Sequence, residues 1–304
     1  MLIIEVKNLH KNYGNVKAVQ GIDFAVEKGE IFGILGPNGA GKTTTLEILE
    51  GLNYADVGSV TIVGLDALKQ TQAVKKKIGV QLQSEAFFEN LQLVELLDLF
   101  ASFYRTKVNA LELLEKVDLQ EKAYAYYANL SGGQQRRFSI AASMVNNPEV
   151  LFLDEPTTGL DPQARRYVWE LIKRIKQTGT TIILTTHYME EAQLLCNRIA
   201  IMDHGKIVKI GSPEELIDSL LARHIISFSS DKYIANEDLR IIYGVKNVRK
   251  ENGTFHLETE DPNATLYRLL QDSYNSKNNL SNLDIHRPNL EDVFIFYTGH
   301  TLRE

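Results

Sequence analysis

Two glycine-rich turns carry the chemistry that the sequence offers first: GPNGAGKTT over residues 36–44 and LSGGQQRR over residues 130–137. Each stands at the start of a helical pattern, and a helix start presents unpaired N–H groups that attract anions. In the first turn Gly36, Gly39 and Gly41 permit backbone angles that aim successive N–H groups inward, while Pro37, Asn38 and Ala40 complete the bend. Lys42 adds a fixed cation for the outer phosphates, and the Thr43 hydroxyl, followed by Thr44, suits a magnesium ligand. The turn follows the apolar run IFGIL at 31–35, so strand, phosphate loop and helix come in the order that the motif requires. One nucleotide needs one such cradle. The second turn therefore has another task.

VLFLDE at 150–155 supplies a partner for the first turn. Four apolar residues lead to Asp154 and Glu155, placed by this pattern at the carboxyl edge of a sheet, where such folds bind ligands. Asp154 reads as a magnesium ligand. Glu155 reads as the group that faces a γ-phosphate and positions or deprotonates the attacking water. The competing reading is a pair of solvated carboxylates at a strand end.

The elements that must hold these groups follow from periodicity. Up to about residue 220, β-branched runs alternate with helical periods: IFGIL, a helix from about 42 to 51, VLFL, a helix over 162–177, TIILTT at 181–186 and a helix over 188–196. The pattern predicts an α/β fold with a largely parallel sheet covered on both faces. Asp161 and Pro162 open the helix at 162, Val168, Leu171, Ile172 and Ile175 give it one apolar stripe, and Gly179 stops it. A helical insert is predicted over about 88–147, with LVELLDLFASFY and ALELLEKVDL in helical period. SPEEL at 212–216 reads as a capping box. Residues 1–223 are expected to form one domain and 224–304 a small α+β accessory domain. In the latter, IISFSS, RIIYGV and TFHLETE read as strands, ATLYRLLQDSY as a helix, YNSKNNLSN as a loop, and Asn289 as the cap of a short helix with Leu290, Val293, Phe294 and Tyr297 on its apolar face.

Composition bounds the function. A net charge of −6 over 304 residues argues against a nucleic-acid backbone as the main partner. The single cysteine, Cys196, excludes an internal disulfide and reads as a small buried side chain in a reducing compartment. MLIIEVKNLHKNYG reads as a strand and not a signal peptide, and no run approaches the roughly 20 apolar residues of a membrane span. His10, His204, His224, His256, His286 and His300 show no metal spacing and read as surface or hairpin residues.

GPNGAGKTT, LSGGQ, LFLDEPTTGLD and TTHYMEEA, in this order, closely resemble the ATP-binding cassette (ABC) ATPases over residues 1 to about 220. The resemblance implies ATP and Mg2+ as ligands. It further implies that Tyr13 in HKNYG stacks on adenine and that Gln83 in IGVQLQ, with Gln81 as its competitor, senses magnesium and a membrane subunit. His187 would contact the γ-phosphate, and Asp161 would lie in a loop that acts across a dimer. It also implies a task for the second turn: two cassettes pair head to tail, and Ser131, Gly132, Gly133 and Gln134 of one close over the nucleotide held by the other. The expected partners are a second copy or a similar cassette and a separate transmembrane permease, with SEAFFENLQL offering exposed aromatics to it, and no nucleic acid. The expected place is cytoplasmic, on the inner face of the membrane.

The ending HRPNLEDVFIFYTGHTLRE resembles that of cassettes from type-2 ABC exporters, the drug-resistance and sodium-extrusion group, which implies export over import. The alternative is a soluble ABC ATPase acting on nucleic acid or ribosomes. The stretch from 42 to 131 holds no heptads for coiled-coil arms, and the chain has one cassette.

Overall fold

The computed structural model describes residues 1–83, 87–220 and 224–301. The expected domain boundary at 223, part of the stretch SEAFFENLQL and the last three residues of the ending lie outside the described residues. The chain divides into two compact units, residues 1–213 and 214–301.

The first unit is built on two sheets. Strands β3 (Ile31–Leu35), β6 (Ile78–Gln81), β7 (Val150–Asp154), β8 (Thr181–Thr186) and β9 (Arg198–Asp203) run parallel, with β10 (Lys206–Gly211) antiparallel at one edge, in the order β10-β9-β3-β8-β7-β6. Every residue of β3, β7 and β8 is buried, as expected of parallel strands covered on both faces. The reading of the amino-terminal region as strand holds for β1 (Leu2–Tyr13), but a second sheet escaped the sequence pattern. It is antiparallel, with β1 between β2 (Val16–Glu27) and β4 (Val57–Ile62) and the short β5 (Leu65–Asp66) at its edge. Its inward residues Ile4, Val6, Ile22 and Val26 join Phe32, Ile34, Phe152 and Ile183 of the parallel sheet in one core. Phe24 stacks on Phe32 at 5.3 Å between ring centres.

Helix α1 (Lys42–Leu49) follows β3, and the short α2 (Thr71–Lys75) precedes β6. The insert holds α3 (Leu93–Phe103), α4 (Ala110–Lys116) and α5 (Gly132–Ala142). Phe87 packs in it against Phe100, Tyr127 and Phe138, so of the two aromatics expected at the surface only Phe88 is exposed. Helix α6 (Pro162–Gln177) is opened by Asp161, whose Oδ1 accepts the N–H groups of Gln163 and Ala164 at 2.9 Å each, and it buries Val168, Trp169, Leu171, Ile172 and Ile175. Helix α7 (Met189–Leu195) returns the chain to β9, with Cys196 buried at its end. Helix α8 (Pro213–Asp218) falls where the two units divide.

In the second unit β11 (His224–Ser230), β12 (Val245–Glu251), β13 (Thr254–Thr259) and β14 (Leu280–His286) form an antiparallel sheet in the order β12-β13-β11-β14. Ile226, Phe228, Phe255 and Leu257 of the sheet pack with Leu239, Ile242 and Leu269. RIIYGV is not a strand. Helix α9 (Asn236–Arg240) takes its first residue, and Leu239 and Ile242, three apart, turn inward while Ile241 is 83% exposed. The loop reading of YNSKNNLSN is also corrected: α10 (Pro262–Ser276) runs into it until Lys277 turns left-handed, and β14 begins at Leu280. Asn289 caps α11 (Leu290–Thr298), accepting the N–H groups of Glu291 and Asp292. His204 occupies the turn between β9 and β10, whereas His256 lies inside β13 with Nδ1 2.9 Å from Ser227 Oγ and is half-buried.

Candidate nucleotide site

The carboxyl ends of β3, β7 and β8 converge on the residues singled out by their chemistry. The loop after β3 passes so close to β9 that a Cβ on Gly36 would stand 2.1 Å from the Met202 carbonyl oxygen, and Gly41 opens α1 with φ +103. Lys42 is buried and donates to the carbonyls of Gly36 at 2.8 Å and Pro37 at 3.0 Å. Its Nζ also lies 3.4 Å from Glu155 Oε1. Burial lowers the Lys42 pKa, and the carboxylates of Glu155 and Asp154 oppose that shift.

Asp154 ends β7 and accepts hydroxyl hydrogen bonds from Thr43, at 3.4 Å, and from Thr185. Burial pushes its carboxyl up despite these two hydroxyls. A dicationic metal is the group that such a buried, uneasy carboxylate would favour, and the oxygen donors of Thr43, Asp154 and Gln83 suit magnesium.

Glu155 is held from every side. Its backbone sits at φ +47, an uncommon left-handed conformation for a non-glycine residue, and its N–H donates to Thr185 Oγ1 at 3.1 Å. Its side chain is 5% exposed, with Oε2 accepting from Thr158 Oγ1 at 3.0 Å and Gln83 Nε2 at 3.3 Å and lying 3.2 Å from His187 Nδ1. Burial alone would raise its pKa, but the approach of His187 and the Lys42 ammonium outweighs it and brings the carboxyl to about 2. An ionised, oriented carboxylate at neutral pH can aim a water molecule through a hydrogen bond.

The structure thus brings Lys42, Thr43, Gln83, Asp154, Glu155 and His187 together. Gln81, the competitor of Gln83, is fully buried in β6. Tyr13 ends β1 with its hydroxyl accepting from Asn53 beyond the end of α1, and its ring is 46% exposed. The LSGGQ turn forms a capping box with itself: Ser131 N–H donates to Gln134 Oε1 at 2.9 Å, and Gln134 N–H to Ser131 Oγ at 3.4 Å. Ser131 and Gly132 face outward. Gly132 shares a cleft of about 320 Å³ with Gln83, Thr158, Gly159 and Leu160. Thr158 and Thr185 were missed by the sequence reading. Their signal was present as hydroxyls in PTTGLD and TIILTT, where polar side chains in apolar surroundings must find partners.

Comparison with known proteins gives the family. Residues 19–158 match the family described as ABC transporter. The linearmycin resistance ATP-binding protein of Bacillus subtilis is 36% identical, the alignment covering 99% of this chain and 100% of that protein. The Nod factor export ATP-binding protein I of Burkholderia lata is 36% identical over 99% and 98% of the two chains. Among solved structures, cbiO1 from Clostridium perfringens, part of an ABC transporter complex, superposes with a TM-score of 0.65 at 27% identity, covering 71% of this chain and 91% of that one. A dimeric bacterial ABC transporter cassette does so with a TM-score of 0.63 at 28% identity, covering 69% and 98%. Among the described residues no helix is long and apolar enough to cross a membrane. A phosphate loop, its facing carboxylates and full-length relatives of one kind leave a single assignment: the chain belongs to the ABC transporter family, as an ATP-binding subunit with ATPase activity.

Proposed function

We propose that this chain powers an exporter, with two copies, or this chain and a similar cassette, closing head to tail around ATP beside a separate transmembrane permease. The observation that carries the reading is the Lys42, Glu155 and His187 cluster at the edge of the sheet, within 3.4 Å of one another through Glu155. Lys42 would bind the outer phosphates, and the ionised Glu155 would orient water towards the γ-phosphate, with His187 contacting the same phosphate. Thr43, Asp154 and Gln83 would hold magnesium, which when bound supplies charge against that of the phosphates. Tyr13 offers its exposed ring to adenine.

The outward turn at Ser131, Gly132, Gly133 and Gln134, held by hydrogen bonds within itself, suits a nucleotide on a facing copy, with Asp161 on the same side of the pairing. ADP lacks the group that bridges the two halves, so hydrolysis removes the differential affinity for the closed pair and lets it reopen. Both relatives are named for resistance or export, which favours an exporter at the inner face of the cell membrane. The domain division proposed for this cycle is a cassette to residue 223 and an accessory domain beyond it.

Mixed pairs test the pairing. One chain bears Lys42→Ala and the other Ser131→Arg, both in a Glu155→Gln background that retains ATP. If the signature turn serves the facing copy, both lesions fall in one site. Purified mixed pairs then occlude close to half the ATP of the Glu155→Gln parent. No gain over either homodimer, with mixed pairs demonstrated, refutes the arrangement.

A further inference from the structure

Glu191 belongs to none of the groups assigned so far, yet it is a fully buried carboxylate in the first turn of α7, four residues after His187. Buried carboxylates are costly unless partnered; here Oε1 is partnered from separate segments, and Oε2 is buried without a hydrogen-bond partner among the described residues. Its Oε1 accepts from Thr157 Oγ1 at 2.7 Å and from Trp169 Nε1 at 2.8 Å. Burial pushes its carboxyl up, against the pull of hydrogen bonds from Thr186, Thr157 and Trp169 and the charge of Arg165.

Two of the three segments hold candidate hydrolytic groups, and the third is helix α6. Thr157 lies between Glu155 and Thr158, whose hydroxyl holds Glu155. Thr186 precedes His187, and its Oγ1 accepts the Tyr188 N–H at 2.9 Å. Trp169 stands on α6, the helix opened by Asp161. A second link runs through half-buried rings: the Arg165 guanidinium lies 4.2 Å from the Tyr188 ring centre, and that ring lies 4.1 Å from the ring of His187.

We infer that Glu191 is a positioning residue for ATP hydrolysis: its carboxylate ties the segment after Glu155 to the helix after His187 and so keeps those two side chains in register. The inference rests on the proposed roles of Glu155 and His187. Removing the tie leaves Lys42 and the phosphate loop intact, so the loss belongs in turnover and not in ATP affinity.

The test compares the full chain with Glu191→Ala, Glu191→Gln and Thr157→Val, measuring kcat, KM for ATP and the emission of Trp169, the only tryptophan in the chain. Glu191→Ala and Thr157→Val are expected to lower kcat by about tenfold or more, the scale of a small misplacement of reacting groups. KM for ATP should stay within about twofold. Glu191→Gln should recover most of kcat, because its amide oxygen accepts from the same two donors. Thr157→Val should also shift Trp169 emission, since both side chains share Oε1.

Parental kcat in Glu191→Ala or Thr157→Val overturns the inference, as does a Glu191→Gln chain no faster than Glu191→Ala, or a loss confined to KM. If Glu191→Ala does not fold, Thr157→Val, nearly unchanged in shape, decides by the same criteria. A parent chain shown to form closed ATP-bound pairs that do not hydrolyse ATP refutes the roles of Glu155 and His187. The tie itself then stands or falls on the Trp169 shift in Thr157→Val.

Discussion

At the scale of single residues, carboxylates of the same unit meet opposite fates. Glu155 is drawn down to about 2 by a histidine and a lysine, whereas Glu50, at the end of α1, is pushed up to about 8 by burial and then by the charges of Asp154 and Glu47. Glu50 Oε1 is buried with no hydrogen-bond partner among the described residues, and the carboxyl end of a helix also disfavours negative charge. Because its folded pKa lies above the unfolded one, the fold is at its best below about pH 4.5 in this respect and weakens as pH rises towards 8. The cost is at most about 1.4 kcal/mol per pH unit across that window. Glu50→Gln is therefore expected to melt above the parent at pH 8, with the difference narrowing towards pH 5, in paired thermal melts. A constant difference would show that Glu50 is not the titrating group. At Lys42, the alanine variant should lose both ATP affinity and turnover, read by fluorescent-nucleotide titration and phosphate release, because the outer phosphates lose their fixed counter-charge.

At the scale of elements, legibility tracked how local the cause was. The phosphate loop and α6 could be read because strand, turn, cap and apolar stripe lie within about 20 consecutive residues, and the caps at Asp161 and Asn289 formed as their types require. The antiparallel sheet was missed because β1 pairs with β4 across some 50 residues, and nothing in either run announces its partner. RIIYGV misled because four apolar residues in six fit a strand by composition, while burial followed a helical step from Leu239 to Ile242. In the site, the charged motif residues were legible; the hydroxyls that hold them were not, since Thr185 gains meaning only once β7 and β8 are side by side, and Thr158 only once the turn after β7 brings it back on Glu155 three residues earlier. The close approach at Gly36 gives an element-scale prediction. Gly36→Ala must push the loop from β9, so both melting temperature and ATP affinity should fall. An unchanged affinity would show that the loop relaxes around the methyl group.

At the scale of the whole molecule, every residue of the candidate site lies in the first unit. The second unit has its own sheet, its own apolar core and its own capped helices. A chain ending at residue 223 is therefore expected to bind ATP as the full chain does, measured by nucleotide titration of the folded truncation. A folded truncation that no longer binds would make the carboxyl-terminal unit part of the site. Transport, in contrast, is expected to need whatever the second unit touches, and the same truncation assayed with the proposed permease separates the two requirements.

The left-handed backbone at Glu155 has a consequence for how this protein can change. That position combines an awkward main-chain angle with a buried carboxyl directly before it, Asp154, which burial pushes up. Strain of this kind costs on the order of 1–3 kcal/mol and persists only where the surroundings enforce it. Selection for durability alone would therefore relax this angle, favouring a glycine there. Only continued demand for turnover keeps the discomfort in place.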